Sequence, residues 1–81
     1  MGMNATQLIK MANQIGAFFA SQLDPEHARS DFAQHLKRQW DPQMRTALLA
    51  HLDATAGEGL NPFVLSALSG LREQIEPQVH A

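Results

Sequence analysis

The sequence predicts an all-α protein, a small bundle of three to four helices, and three observations carry that expectation. Apolar residues recur at helical spacing, and no segment alternates with period two as a half-buried strand would. Asp24-Pro25, Asp41-Pro42 and Asn61-Pro62 repeat one device, a capping side chain followed by a proline whose backbone angle suits the first helical turn. Gly57-Glu58-Gly59 marks the longest flexible connection, while the other links are short enough to make consecutive helices neighbours.

The first helix is expected over about residues 5–21, with Asn4 as its cap and Gln7 in the third position of a capping box. Asp24-Pro25 opens the second, over about residues 25–40. Asp41-Pro42 ends it and opens the third, over about 42–56, because proline disfavours helical backbone at the residue before it. Gly57 is a natural stop for the third helix. Asn61-Pro62 opens the fourth, over about 62–76, and residues 77–81 form a tail. The whole chain, residues 1–81, reads as one helical domain.

Helical wheels give each helix an apolar stripe. Phe32 and Leu36 in the second helix, Leu48 and Leu52 in the third, and Val64, Leu68, Leu71 and Ile75 in the fourth read as core. The first helix is different. Leu8, Ala12, Ile15 and Phe19 form its central stripe, Met11 and Phe18 widen it on one flank, and Ile9, Gly16 and Ala20 widen it on the other. The arc spans about 200° on an ideal helix, against roughly 100° for an ordinary surface helix. Such a helix is buried on two sides, the second side being another helix of the bundle or a partner that meets Met11 and Phe18.

Composition restricts the function. A chain of 81 residues buries only about 60% of its unfolded surface, too little for a substrate cleft on a catalytic scaffold. With no cysteine it forms no disulfide and holds no thiolate-ligated iron–sulfur cluster, which fits a cytoplasmic location. The net charge of -2 and six dispersed Lys and Arg residues give no footprint for nucleic acid or an anionic membrane. No run is long enough to span a membrane, and the start lacks the pattern of a signal peptide. Met1-Gly2-Met3-Asn4-Ala5-Thr6 matches the literal myristoylation pattern without a polybasic second signal, so no lipid anchor is expected.

The segment from His35 to Arg45 concentrates the candidate binding residues. Trp40, the only tryptophan, sits at the corner before Asp41-Pro42, where it is either the plug of the core or an anchor for a partner. Arg29 and Arg45 each interrupt an apolar face near a helix N-terminus, where the helix dipole disfavours a cation. Each therefore needs a carboxylate, a carbonyl or an acidic group from another subunit; Asp24, Glu26, Asp41 and Glu58 are the local choices. Asn13 and Gln14 are either a solvated face or donors to a partner backbone.

No catalytic constellation emerges. His27, Asp31 and His35 line up along the second helix, but one stripe does not close a metal site, and the pattern reads as a solvated face. His51 reads as a boundary residue and His80 as part of the tail. Ser21, Ser30, Ser66 and Ser69 lie in no nucleophile elbow. The Gly57-Glu58-Gly59 turn lacks the lysine and preceding strand of a phosphate loop, so it reads as a hinge. Catalytic, cofactor-binding and metal residues are thus expected to be none.

Read in order, Met11-Ala12-Asn13-Gln14-Ile15, Phe18-Phe19, His35, Trp40-Asp41-Pro42, Met44-Arg45, Leu48-Leu49 and Gly57-Glu58-Gly59-Leu60-Asn61-Pro62 make a pattern. It resembles the delta subunit of the soluble, NAD-dependent, molybdenum-containing formate dehydrogenases. The resemblance runs over residues 7–65, and the stretch from Ser66 onward adds nothing to it. It implies a non-catalytic, cytoplasmic accessory subunit that binds the large molybdenum subunit and supports its assembly, stability or cofactor insertion. The molybdopterin, the iron–sulfur clusters and NAD would then belong to companion chains. The partner-binding residues expected on this reading are Met11, Asn13, Gln14, Phe18, Arg29, His35, Trp40, Met44 and Arg45. Two alternatives stay open: a transient maturation factor absent from the finished enzyme, and a stand-alone helical module that pairs with itself through the first helix.

Overall fold

Each long helix begins on a side-chain cap. In the computed structural model, which describes residues 4–77, the Asn4 side chain accepts from the Gln7 amide at 2.9 Å and opens α1 (Ala5–Ala20). Asp24 accepts from the Glu26 amide at 3.0 Å and opens α2 (Pro25–Gln39). Asp41 accepts from the Met44 amide at 2.9 Å for α3 (Pro42–Thr55), and Asn61 from the Val64 amide at 2.8 Å for α4 (Pro62–Gly70). These bonds satisfy amides that the first turn leaves without an intrahelical partner. A short α5 (Arg72–Ile75) follows. No strand occurs among the described residues, and the fold is all-α. The myristoylation pattern at residues 1–3 and the tail from Gln78 onward, His80 included, lie outside the described residues.

α2 is the central element, packing against α1, α4 and α5, and α1 also packs on α3 and α4. Phe32 and Leu36 of α2 are fully buried, with Leu48 of α3, Val64 and Leu68 of α4, and Ile75 of α5 around them. α1 contributes Leu8 and Ala12. The crossing of α1 with α4 depends on Gly16, since a Cβ there would stand 2.5 Å from Val64 Cγ2. Because Val64 is fully buried and β-branched, it has little room to yield, so glycine is needed in spite of its low helix propensity.

One expected helix is interrupted. The segment over about 62–76 breaks at Leu71, which leaves helical geometry at φ -121 and ψ 28. Two tertiary contacts accompany the break: Ile75 enters the core, and Arg72 reaches Asp53 on α3. Helix α3 ends at Thr55, and the left-handed step falls on Ala56 (φ 58) ahead of Gly57 (φ 83).

Candidate partner-binding site

α1 faces two different environments with adjacent residues. Asn13 points to the α3–α4 connection, where its Nδ2 donates to the Gly59 carbonyl at 2.9 Å and its Oδ1 accepts from the Asn61 amide at 2.9 Å. The same connection is held from α3. Thr55 Oγ1 donates to the His51 carbonyl and accepts from the Glu58 amide, and the His51 ring meets the Glu58 carbonyl at 2.7 Å. Gly57 adds a left-handed backbone and no side chain where a Cβ would collide with Leu65. The turn that reads as a hinge is thus a fixed structure, held by two helices.

Gln14, one step further round α1, is exposed. With Ile15, Phe18, Phe19 and His35 it lines an open concavity of about 330 Å³ between α1 and α2. Phe18 is 72% exposed and stands edge-on to Phe19 at 5.2 Å between ring centroids. Phe19 in turn lies against Phe32 at 6.3 Å and against the His35 ring at 5.6 Å. The buried Phe32 therefore supports Phe19, which supports Phe18 and His35, so the surface aromatics rest on the core. Leu23, in the α1–α2 link, is fully exposed. It stands just ahead of the Asp24 cap, where an apolar residue often packs against the first turn of the helix it precedes, and it is left open to solvent. Phe18 and Leu23 are the exposed large apolar side chains of the described residues, five positions apart.

The structure divides the expected binding residues. Gln14, Phe18 and His35 come together in the concavity. Met11 lies on the same flank of α1, half-buried against the core, and Met44 is half-buried against the core on α3. Asn13 departs from both of its expected roles, for its amide is committed within the chain. Trp40 is 4% exposed and is a plug of the core, which corrects the anchor reading.

Arg45 is also buried. Its Nε donates to the Trp40 carbonyl at 3.2 Å and its Nη1 to the Ile75 carbonyl at 3.1 Å. These carbonyls lie at the C-terminal ends of α2 and α5, where the helix dipole favours a cation. The interior, and neither a local carboxylate nor another subunit, supplies its partners. Arg29 is half-buried, and none of the ion pairs among the described residues includes it. Sequence reasoning placed Ile15 and Phe19 in the core stripe and did not single out Leu23. An unstapled leucine ahead of an Asp-Pro cap was the available signal for the last.

Charged groups are sparse around the concavity. Asp31, one turn before His35, is engaged by His27 at 3.3 Å and by Gln22 at 3.2 Å. The strongest ionic cluster lies elsewhere, where Arg72 holds Asp53 through two hydrogen bonds of 2.7 and 2.8 Å and Glu76 through one of 2.6 Å. Hydrogen bonding from Arg72 holds the Asp53 carboxyl below its ordinary value of 3.8. Among the described residues no three His, Asp or Glu side chains gather as a metal would require, and the chain has no cysteine. No helix of the described residues is long and apolar enough to cross a membrane.

No curated protein and no solved structure matches the chain. The family model of the NADH-dependent formate dehydrogenase delta subunit FdsD matches residues 7–68, from the first turns of α1 to the buried Leu68 of α4. That span holds both the Asn13 clamp and the aromatic face of α1. With most of its length matched, the chain belongs to the family of formate dehydrogenase delta subunits.

Proposed function

We propose that this chain is a non-catalytic subunit that binds the large molybdenum-containing subunit of a cytoplasmic formate dehydrogenase through the α1–α2 face. Its binding would support assembly, stability or cofactor insertion in that subunit. The observation that carries the reading is the exposed Phe18, braced on Phe19 beside Gln14 and His35, in a family of enzyme subunits. A free monomer gains nothing from holding an aromatic ring in water on a rigid support, whereas an interface gains its most effective kind of contact. Formate oxidation, the molybdenum centre, the iron–sulfur clusters and the NAD site then belong to companion chains. The chain has no cysteine thiolate to offer an iron–sulfur cluster.

A tagged form of the chain, recovered under native conditions from its source cell, tests the reading. The eluate is assayed for molybdenum and for formate-dependent NAD reduction. The active enzyme in fixed ratio to the tag is the expected outcome. The chain alone, from cells that contain the dehydrogenase, overturns it.

A further inference from the structure

Of the residues that line the α1–α2 concavity, Gln14, Ile15, Phe18, Phe19 and His35, only His35 is titratable. It is half-buried, and its ring lies 5.6 Å from that of Phe19. It takes no part in the side-chain hydrogen bonds or ion pairs of the described residues. The charged groups on the elements around it are few and of both signs. On α2, Asp31 stands one turn before His35 and is engaged by His27 and Gln22. Arg38 stands three residues after it and opens onto a separate concavity with Gln34, Lys37 and Gln74. The helices packed on α2 are α1, α4 and α5. Lys10 is the single charged residue of α1, and α4 has none. On α5, Arg72 is held by Asp53 and Glu76, and Glu73 is exposed. Neither a carboxylate nor a permanent cation stands in the lining itself, so an imidazolium formed there depends on water for its solvation.

From this arrangement we infer that docking on the α1–α2 face is coupled to the charge of His35. An uncharged, apolar part of the large subunit covers the imidazole in its neutral form, and protonation of His35 weakens the complex. The inference rests on the subunit reading above and adds regulation of that site by pH. The occupant follows from the lining: Ile15, Phe18 and Phe19 are apolar, no fixed charge stands among them, and Asp31 and Arg38 flank His35 along α2 with opposite signs. Such a surface draws a charged partner of neither sign and matches an uncharged one. Histidine ordinarily titrates near pH 6.5, so its charge changes within the range a cell traverses. In the free chain water solvates the charged ring. Under an apolar cover that hydration is lost, and nothing in the lining replaces it. The contact with Phe19 is present before and after docking, so it cancels. The free chain therefore holds the proton more readily than the complex does. Affinity is complete above the ordinary histidine value and is lost as pH falls through it, because association must then expel the proton.

The test is titration calorimetry of the full chain with the large subunit, purified from cells that lack this chain, across a series of pH values. Between about pH 8 and about pH 5.5, Kd for the unaltered chain is expected to rise about ten-fold, with release of up to roughly one proton on binding near pH 6. His35→Gln, which is uncharged throughout, should bind comparably at the alkaline end and lose this rise. Any residual slope belongs to other groups of the two chains, so the difference between the two profiles is the quantity read. His35→Phe takes the place of the glutamine variant if circular dichroism shows that glutamine disturbs the helices. His27→Gln, one helical stripe away on α2, should keep the pH profile of the unaltered chain. If the His35 variants keep that profile too while Phe18→Ser weakens binding at alkaline pH, His35 is not covered and the inference is overturned, with the subunit reading intact. If binding tightens in acid and takes up a proton that the His35 variants do not, the partner sets a carboxylate against the ring and the inference is overturned. If His27→Gln alone removes the rise, the coupling lies outside the concavity and the inference again falls. If Phe18→Ser has no effect on Kd, the face is not the interface and both readings fall.

Discussion

Asn13 and Gln14 are neighbours on one helix, yet the first is fully committed within the protein and the second is idle. The same contrast holds for the regions they face. At the α3–α4 connection, side chains from α1 and α3 hold the backbone of Glu58, Gly59 and Asn61. On the α1–α2 face, an aromatic ring is open to water, and the side chains of Gln14 and His35 take no part in the side-chain hydrogen bonds of the described residues. Residues that stand together in one short motif can therefore serve different ends. A polar residue with a distant intramolecular partner fixes the shape, whereas one left idle beside exposed aromatics is what the proposed binding face offers to a second protein.

The contrast is tested first where the effect is largest. Trp40 lies on the committed side, at 4% exposure, so Trp40→Ala should lower stability by about 3 to 5 kcal/mol through lost burial and a cavity. Chemical denaturation followed by circular dichroism measures it. A variant that melts like the unaltered chain but fails to bind would move Trp40 to the open face and dissolve the distinction. Phe18→Ser comes next and is expected to do the reverse. Its stability should change by less than about 1 kcal/mol because the ring is already largely in water, while binding to the large subunit weakens by about 2 kcal/mol, roughly thirty-fold. A larger loss in melting than in affinity would return Phe18 to the core.

Asn13→Ala sharpens the comparison at its closest point, since Gln14→Ala beside it is the natural control. Removing the Asn13 amide takes one bond from the exposed Gly59 carbonyl and one from the half-buried Asn61 amide, at an expected cost of about 1 to 1.5 kcal/mol. Gln14→Ala should stay within about 0.5 kcal/mol, because an exposed side chain outside the hydrogen bonds of the described residues has little to lose. Asn13→Asp separates the two bonds: it keeps the acceptor for the Asn61 amide and sets a carboxylate against the Gly59 carbonyl. Its melting should fall with the alanine variant, and equal melting of the Asn13 and Gln14 variants would show that the clamp contributes nothing.

These distinctions were legible in the sequence only in part. The starts of the long helices could be read because an Asx-Pro pair acts through its own neighbours, and the same local chemistry operates at Asp24, Asp41 and Asn61. The break at Leu71 was not legible, since it accompanies the entry of Ile75 into the core and the reach of Arg72 to Asp53. The wide apolar arc of α1 marked a helix buried on two sides, and α2, α3 and α4 pack against it, but the arc gave no means of telling the exposed Phe18 from Phe19. Trp40 and Arg45 looked like anchors because the Ile75 carbonyl that receives Arg45 is 30 residues away. Asn13 was ambiguous for the same reason, its partners being 46 and 48 residues distant.

The smallest expected effect is at the Asp53–Arg72 pair, which separates having a partner from being energetically important. Hydrogen bonding from Arg72 lowers the folded-state pKa of Asp53 below its ordinary 3.8, with burial opposing the shift. Arg72 is shifted upward by Asp53 first and Glu76 second, so it stays charged throughout and adds no pH dependence of its own. A carboxyl depressed by folding contributes stability above its unfolded value, and this is lost as pH falls through the lower folded value. Asp53→Asn should therefore reduce Tm slightly near neutral pH, less in high salt, and the difference from the unaltered chain should close in strong acid. Because the pair is open to solvent, the reduction should be well below that of Asn13→Ala. A reduction as large, or one that persists unchanged in acid, would show that contacts on the committed side do not rank by burial. An idle Gln14 and an exposed Phe18 would then mark a binding face only if their replacement weakened affinity.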